Sequence, residues 1–408
     1  MYNFIKVPNL FDTSVYYEKN LTVMKTKAIL ISMLCSVFLT FAQEKPQKVN
    51  SIVKEPHDFE WFTQQYSLWG KELKKDSKNG DAWINFYAAA RMARYTAKDE
   101  NEKTVWTTKE SEVVPQMEKA IKGTFAYYRI MAWYYSIWKT HDKKEQEKIA
   151  QYSLKAYELN PLNPDIYPTL MNIYEILTPN SEKLKEVAIR WKESGHHSPN
   201  LMARAYNSLI NAKEKAILMT GGDNDTYPLW IAQCADNFRK DVHVWNIYLI
   251  TNPEYRNRLF KELNIPALEG DVEISKIIEH IIKNRGDLPL YFSNKGIVAK
   301  DSAFYEKLYN VGVIYQYSEE MMDNTALIVN HFENKFLLDH VKYNFYQSEF
   351  PEMDRNHNYS YLPGLMALYQ HYYLIENNEK AKKTKDLLIQ LTKGTPYFED
   401  IKVQLNLE

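Results

Sequence analysis

Thr220-Gly221-Gly222-Asp223-Asn224-Asp225-Thr226-Tyr227-Pro228-Leu229-Trp230 follows the apolar run Ala216-Ile217-Leu218-Met219 and precedes a helical pattern. It reads as a strand, a glycine turn and a helix start. Gly221 and Gly222 free the backbone for positive φ, Thr226 is placed to cap the helix, and Pro228 suits its first turn. In α/β sheets, ligands collect at such turns beyond the carboxyl ends of the strands. Gly221, Gly222, Asp223, Asn224, Asp225 and Thr226 are therefore the candidate ligand-binding residues.

Asp223 and Asp225 repel one another, by on the order of a few kcal/mol at roughly 6 Å and an effective dielectric near about 20. The free N–H groups and dipole of the following helix stabilise an adjacent carboxylate by about 0.5–2 kcal/mol, enough for one aspartate and hardly for both. A divalent cation held by Asp223 and Asp225 is the other way to offset the repulsion, because hard cations take carboxylate oxygens. Turns of this composition also occur without chemistry, so a structural turn and a metal or ligand site both stay open.

Short apolar runs at Ala216–Thr220, Val242–Ile250, Leu288–Ser293 and Val311–Tyr317 read as strands. Helical patterns at Thr226–Arg239, Pro253–Leu263, Ile274–Asn284 and Ser302–Asn310 separate them, the alternation expected of βαβ units with a mainly parallel sheet. From His57 to Asn211 the pattern is helical, as in Phe59, Phe62, Tyr66, Trp69 and Leu73. Asn160-Pro161 and Asn163-Pro164-Asp165 break it, and Trp191–Leu201 repeats that segment at an offset of 35, matching Glu158 with Glu193, Pro164 with Pro199 and Ile166 with Leu201. Asn79-Gly80-Asp81-Ala82-Trp83 opens an earlier helix in the same way. The period resembles the tetratricopeptide repeat in degenerate form, and it implies stacked helix pairs with one concave face. After the strands, Asn324–Gln347 and Tyr361–Gln390 are again helical, the second divided at Asn377-Asn378-Glu379.

The fold class is therefore α plus α/β. A TPR-like helical repeat over 43–212 is followed by a small Rossmann-like unit over 213–320 and C-terminal helices over 321–408. With Lys+Arg 51 against Asp+Glu 52 and 45% hydrophobic residues, the composition is that of a globular chain with no electrostatic case for nucleic acid or an anionic membrane surface.

Met24-Lys25-Thr26-Lys27 is a short basic region, and Ala28 to Phe41 is a mostly apolar run too short to span a bilayer. With Thr40 and Ala42 at the −3 and −1 positions of a cleavage site, residues 24–42 read as a secretory signal peptide. Translation is then expected to begin at Met24, with 1–23 outside the protein, no membrane span in the mature chain, and a periplasmic or secreted destination. Removal of Cys35 would leave Cys234 alone among Ile231, Ala232 and Phe238, as a buried small hydrophobe without redox work.

Other constellations are weaker. His196-His197 reads as a solvated turn, and His331, Glu333, Asp339 and His340 as exposed polar positions on a helical stretch, with metal ligands as the alternative. No Gly-x-Ser-x-Gly, His-Glu-x-x-His or phosphate-loop motif occurs. The 31 Tyr and 9 Trp suit a carbohydrate-stacking groove and equally suit repeat cores. Asp301-Ser302-Ala303 resembles a short O-glycosylation sequon of exported Bacteroidetes proteins.

Gly222–Trp230, Gln233, Arg239 and Asp241-Val242-His243-Val244-Trp245-Asn246 carry a wider resemblance. Leu288-Pro289-Leu290-Tyr291-Phe292-Ser293 and Gly312-Val313-Ile314-Tyr315-Gln316-Tyr317 continue it. Over about 213–350 the chain resembles the soluble, C-terminal extramembrane part of a family of Bacteroidetes inner-membrane proteins grouped with the protein O-mannosyltransferase-like glycosyltransferases. That family's catalysis is attributed to a membrane half of many hydrophobic helices, which has no counterpart here, so the resemblance implies the soluble module and not glycosyl transfer.

The expectation is an exported binding or scaffold protein of the cell envelope. Its repeats would hold a protein or glycan partner, and its α/β module would bind a ligand. A metal-assisted transferase or hydrolase acting on envelope glycans through Asp223 and Asp225 is the alternative, and a purely structural α/β unit is the third. The lack of a complete base, nucleophile and oxyanion set favours the first. Intact-mass analysis of the envelope fraction is expected to find an N-terminus near Gln43; a chain keeping Met24 to Phe41 in the soluble cytoplasmic fraction contradicts export.

Overall fold

A computed structural model describes residues 45–135, 142–298, 303–343 and 345–406. The expected leader over 24–42, residues 1–23, and Asp301 and Ser302 of the sequon lie outside the described residues. The helical part runs through α1 (Phe59–Lys75), α2 (Gly80–Thr96), α3 (Glu100–Ile121), α4 (Phe125–Tyr135), α5 (Lys143–Leu159), α6 (Tyr167–Asn172), α7 (Ser181–Glu193) and α8 (Pro199–Asn211). Its helix starts are set by chemistry visible in the chain. Asp58, Asn79, Asp99, Asp142, Asn180 and Ser198 each precede a helix and accept from the backbone N–H three residues on, each cap contributing about 1 kcal/mol. Successive helices pack on one another through buried Phe62, Tyr87, Val113, Met117 and Ile130, a helical repeat-like arrangement. Among the described residues no helix is long and apolar enough to cross a membrane.

The α/β part follows as β1 (Ile217–Thr220), α9 (Asp223–Ala235), β2 (His243–Asn246), α10 (Pro253–Glu262), α11 (Ile274–Asn284), β3 (Leu290–Phe292), β4 (Leu308–Asn310) and β5 (Tyr315–Tyr317). The sheet order is β2-β1-β3-β5-β4. Strands β2, β1 and β3 are parallel, with Leu218 opposite Val244 and Tyr291, whereas β5 runs antiparallel to β3 and to β4. The mainly parallel sheet expected from the sequence is thus a mixed one. The helix expected over Ser302–Asn310 is instead a 3-10 turn at Tyr305–Lys307 followed by β4. A parallel return needs a crossover of a dozen or more residues, and the four residues joining β4 to β5 allow only a hairpin.

Helices α12 (Thr325–Asn334), α13 (Asp339–Lys342), α14 (Pro351–Asn358), α15 (Leu362–Leu374), α16 (Asn378–Thr392) and α17 (Phe398–Gln404) complete the chain. The polar break at Asn377 is as expected, while the helix expected over Asn324–Gln347 is interrupted between Asn334 and Asp339. One hydrophobic core runs from Ile149 on α5 through the sheet to Leu405, so the change of pattern near residue 213 is crossed by shared packing.

Helix α8 holds these parts together through a buried polar face. Asn200, Arg204, Asn207 and Asn211 recur at helical spacing, and each is at most 4% exposed. Asn200 donates to the Asp354 carbonyl at 2.9 Å, and Asn207 donates to the Leu337 carbonyl and the Tyr361 hydroxyl and accepts from Leu337 N–H. Asn211 donates to the Val311 carbonyl at 2.8 Å and accepts from Val313 N–H at 2.9 Å, clasping the β4–β5 turn. Gly312 in that turn has φ +145°, and a Cβ there would lie 2.8 Å from the Asn211 side-chain oxygen.

Replacing Asn211 by Leu strands two buried backbone groups at about 1–3 kcal/mol each. Asn211→Leu is therefore expected to lower the urea unfolding free energy by at least about 2 kcal/mol, and Gly312→Ala also to destabilise. Wild-type stability in both would refute the clasp.

Candidate functional site

Strand β1 is buried along its whole length and ends at Thr220. Neither glycine that follows adopts positive φ, contrary to the reading of the turn from sequence. Glycine is favoured at 221 by close approach, since a Cβ would lie 3.1 Å from Ile297 and 3.4 Å from the Asn294 amide and the Ile297 side chain would have to shift. Gly222 is the extended N-cap residue of α9, with open space where a Cβ would stand.

Helix α9 begins at Asp223, three residues before the expected start, so Thr226 is not its cap and Pro228 lies in the second turn. Thr226 is buried and donates to the Gly222 carbonyl at 2.7 Å. Its hydroxyl oxygen accepts from the Asn246 amide at 2.9 Å and meets the Thr220 hydroxyl at 2.7 Å. The hydroxyl thereby ties the ends of β1 and β2 to the first turn of α9. Its role is to brace the turn.

The two aspartates have opposite environments. Asp225 turns inward: Arg204 on α8 pairs with it at 2.9 Å, Ser293 donates at 2.8 Å and Asn294 at 3.2 Å. Burial alone would raise its carboxyl, but the Arg204 guanidinium, aided by His357 and these hydrogen bonds, holds it below the usual carboxylate range. Arg204 is 4% exposed and also donates to the Ser360 hydroxyl at 3.2 Å. The cation needed to offset the carboxylate pair is therefore supplied by the chain.

Asp223 faces solvent. Protein crowding still pushes its carboxyl up to about 6, with the Lys54 ammonium opposing the rise. Crowded on one side and reached by water on the other, it is screened by solvent, so the rise carries no stability increment of its own.

A recess of about 380 Å³ opens over this turn. Gly221 to Asp225 form its floor, and Val53, Tyr248, Asn294, Ile297 and His357 are among its walls. Asn224 donates to the Val53 carbonyl at 3.2 Å, bringing in the segment that leads to α1. His357, on α14, is pushed down to about 4 by burial and by Arg204 beside it. Tyr248 is 50% exposed and offers an aromatic face. The recess presents one accessible carboxyl, amide and backbone groups and an aromatic ring, a set that binds hydroxyls or cations. A metal using both Asp223 and Asp225 would have to compete with Arg204. Among the described residues no three His, Cys, Asp or Glu side chains come together as metal ligands.

Five of the six candidate residues line the recess, with Thr226 beneath it. Sequence reasoning missed Arg204, Ser293, Asn294, Asn246 and His357 as parts of the site. The strand-end rule points to Asn246, Ser293 and Asn294, which close or follow β2 and β3. Arg204 and His357 lie far away in the chain and carry no local signal.

The remaining candidates are structural. Gln233 donates to the carbonyls of Arg239 and Val242, and Arg239 pairs with Asp241 and donates to the Leu209 and Ala212 carbonyls at the end of α8. His331 is not the exposed position expected but is buried against Asn211, because its ring meets the Asn211 amide behind the β4–β5 turn, and Glu333 pairs with Lys380. His197 departs from the expected solvated turn: its ring lies 4.7 Å from that of Trp191, and burial pushes it down to about 3. Burial raises the free Cys234 thiol to about 11.

No curated protein and no solved structure matches the chain. Residues 201–364 match the model of the family described as TMEM260-associated domain 2, a span that contains Arg204, both aspartates, the whole sheet and His357.

Proposed function

We propose that the protein is an exported binding or scaffold protein of the cell envelope, whose TPR-like helices engage a partner and whose α/β module takes a small ligand in the recess over Gly221–Asp225. The observation that carries the reading is the division of labour between the aspartates. Asp225 is spent on holding the turn through Arg204, and Asp223 is left facing the recess as a hydrogen-bonding carboxyl. A ligand with hydroxyl donors, such as the end of a glycan, or a cation would meet Asp223 and the exposed ring of Tyr248. The alternative, a metal-assisted transferase or hydrolase, needs a second free carboxylate, and the internal ion pair of Asp225 weighs against it. Periplasmic or secreted location rests on the leader sequence.

Melting curves of wild type, Asp223→Ala and Asp225→Asn separate the readings. Asp223→Ala is expected to keep wild-type stability within about 0.5 kcal/mol, as for a surface change, while abolishing any ligand-dependent rise. Removing the charge of Asp225 leaves Arg204 buried and uncompensated, at about 3–5 kcal/mol.

The pH dependence follows from the sign of each shift. Asp225, held low in the fold, gives stability that is present above about pH 4 and lost as pH falls through its depressed folded value. Asn at this position should flatten that acid limb. Asp223, raised to about 6 but screened by solvent, adds no limb of its own, so Asp223→Ala should leave the pH profile of stability unchanged.

A cation bound at a hundredfold excess over its Kd would add about 2.7 kcal/mol. Identical wild-type curves in EDTA and in millimolar Ca²⁺, Mg²⁺ or Mn²⁺ reject the metal site. If neutral monosaccharides, short glycans, phosphate and these cations all fail to give an Asp223-dependent shift, the α/β unit is structural.

A further inference from the structure

Helices α2 and α3 bury a charge cluster that has no part in the recess. Arg91 and Arg94 on α2, their side chains 6% and 14% exposed, converge on Glu110 of α3, which is 3% exposed. Arg94 Nε donates to one Glu110 oxygen at 2.6 Å. The other oxygen accepts from the Tyr87 hydroxyl at 2.7 Å, with Arg91 3.5 Å away. Two guanidiniums therefore share one carboxylate, and a guanidinium stays charged in proteins.

The other acids in reach are committed or turned away. On α3, Glu100 pairs with Lys103, Glu118 pairs with Lys122, Glu102 accepts from the Lys98 N–H, and Glu112 is exposed. Asp81, the one acid of α2, stands about 15 Å along the helix axis from Arg91. The stretch from Lys119 to His141, which includes α4 packed against α2, contains no Asp or Glu. The C-terminal dipole of α2 offsets part of the surplus, and Arg91 donates to the Trp133 carbonyl at 2.9 Å. Arg94 is left incomplete: among the described residues its buried Nη2 meets no acceptor.

Tyr95 covers that open position. Its ring, 51% exposed, lies 4.3 Å from Arg94 Cζ and 5.5 Å from Arg91 Cζ, and its hydroxyl receives only a long contact, 3.5 Å, from Arg91 Nη2. Burial alone would raise this hydroxyl, but Arg91 and Arg94 hold it below its ordinary value, as a positive potential at the surface does. Exposed side chains change rotamer within nanoseconds, and a turn of this ring uncovers the Arg94 guanidinium.

We propose that Arg91 and Arg94 form a binding site for a small carboxylate, gated by Tyr95, in which the ligand's oxygens accept from the outward Nη2 groups of the two guanidiniums. One surplus positive charge matches a monoanion, whereas a dianion such as sulfate would leave the buried cluster with net negative charge. The planar guanidinium also suits a planar carboxylate. The site goes beyond the ligand recess, shares no residue with it, and stands whether or not the recess binds anything.

The test is isothermal titration of the full chain with sodium acetate, D-glucuronate, D-glucose and sulfate, at an ionic strength held constant with chloride. Acetate and glucuronate are expected to bind at one site, glucose not at all, and sulfate severalfold more weakly. Equal affinity for the two acids assigns the site to small acids in general, and a glucuronate margin of about tenfold to an acidic sugar. Arg94→Lys keeps the charge beside Glu110 but loses the second donor nitrogen, and should weaken both acids by at least about tenfold. Tyr95→Ala removes an exposed ring, which leaves folding intact, and should tighten both severalfold by uncovering Arg94. Asp223→Ala should change neither, which keeps failure at the recess distinct from failure here.

The absence of carboxylate binding at tens of millimolar, sulfate bound as tightly as acetate, or binding weakened in Tyr95→Ala each overturns the proposal. So does carboxylate binding that a folded Arg94→Lys leaves intact. If melting curves show Arg94→Lys unfolded, the Tyr95→Ala titration decides by itself.

Discussion

The buried polar face of α8 is the constraint on which the rest depends. Four side chains at helical spacing, Asn200, Arg204, Asn207 and Asn211, reach α14, the first turn of α9, the segment before α13 and the β4–β5 turn. Each contact satisfies groups that would otherwise be buried without partners, and such a deficit costs more than the net gain of an ordinary hydrogen bond. The helix therefore specifies positions as well as adding stability. An apolar face of the same shape would bury as much surface, but it would not tell the hairpin turn from any other turn.

Among these contacts the Arg204–Asp225 pair shapes the recess. Two carboxylates in the first turn of one helix repel, and either a bound cation or an internal one must offset them. Arg204 does so for Asp225, and Ser293 and Asn294 occupy its other oxygen. With the inner carboxylate neutralised, the outer one can remain accessible in a crowded recess without a partner of full charge. The pairing also fixes where the carboxyl end of β3 stands relative to α9, so the geometry of the opening follows from an ion pair beneath it.

What the sequence made legible, and what it did not, follows the range of the interactions. The helix start marked by Asn79 was readable because a cap acts over three residues. The strand, glycine turn and helix at 217–235 were readable as a unit and marked the carboxyl edge of the parallel strands, where the recess opens. The start of α9 was misplaced because Thr226 has the composition of a cap, while its hydroxyl serves Thr220 and Asn246, neither of which is a neighbour in the chain. The polar face of α8 was invisible for a related reason: Asn and Arg at helical spacing describe a solvated face as well as a buried one. Only the placement of α14 and the hairpin, more than a hundred residues later, tells them apart. The mixed sheet was missed because nothing in Ser302–Asn310 excludes a helix locally, and the hairpin is set by the short connection and by Asn211.

The family match over 201–364 begins within the first turn of α8 and ends at Gly364, so it takes in Arg204, Asn207, Asn211 and nearly everything they hold. Val53 and Lys54 are outside that span, yet Val53 walls the recess and accepts from Asn224, and the Lys54 ammonium opposes the rise of the Asp223 carboxyl. The floor and the charge of the recess thus come from the matched segment, while one wall and one nearby cation come from the stretch that leads to α1. The Lys54 ammonium acts on the accessible carboxyl itself. The shape of the recess and the protonation of Asp223 therefore depend jointly on the α/β module and on the segment that leads to α1.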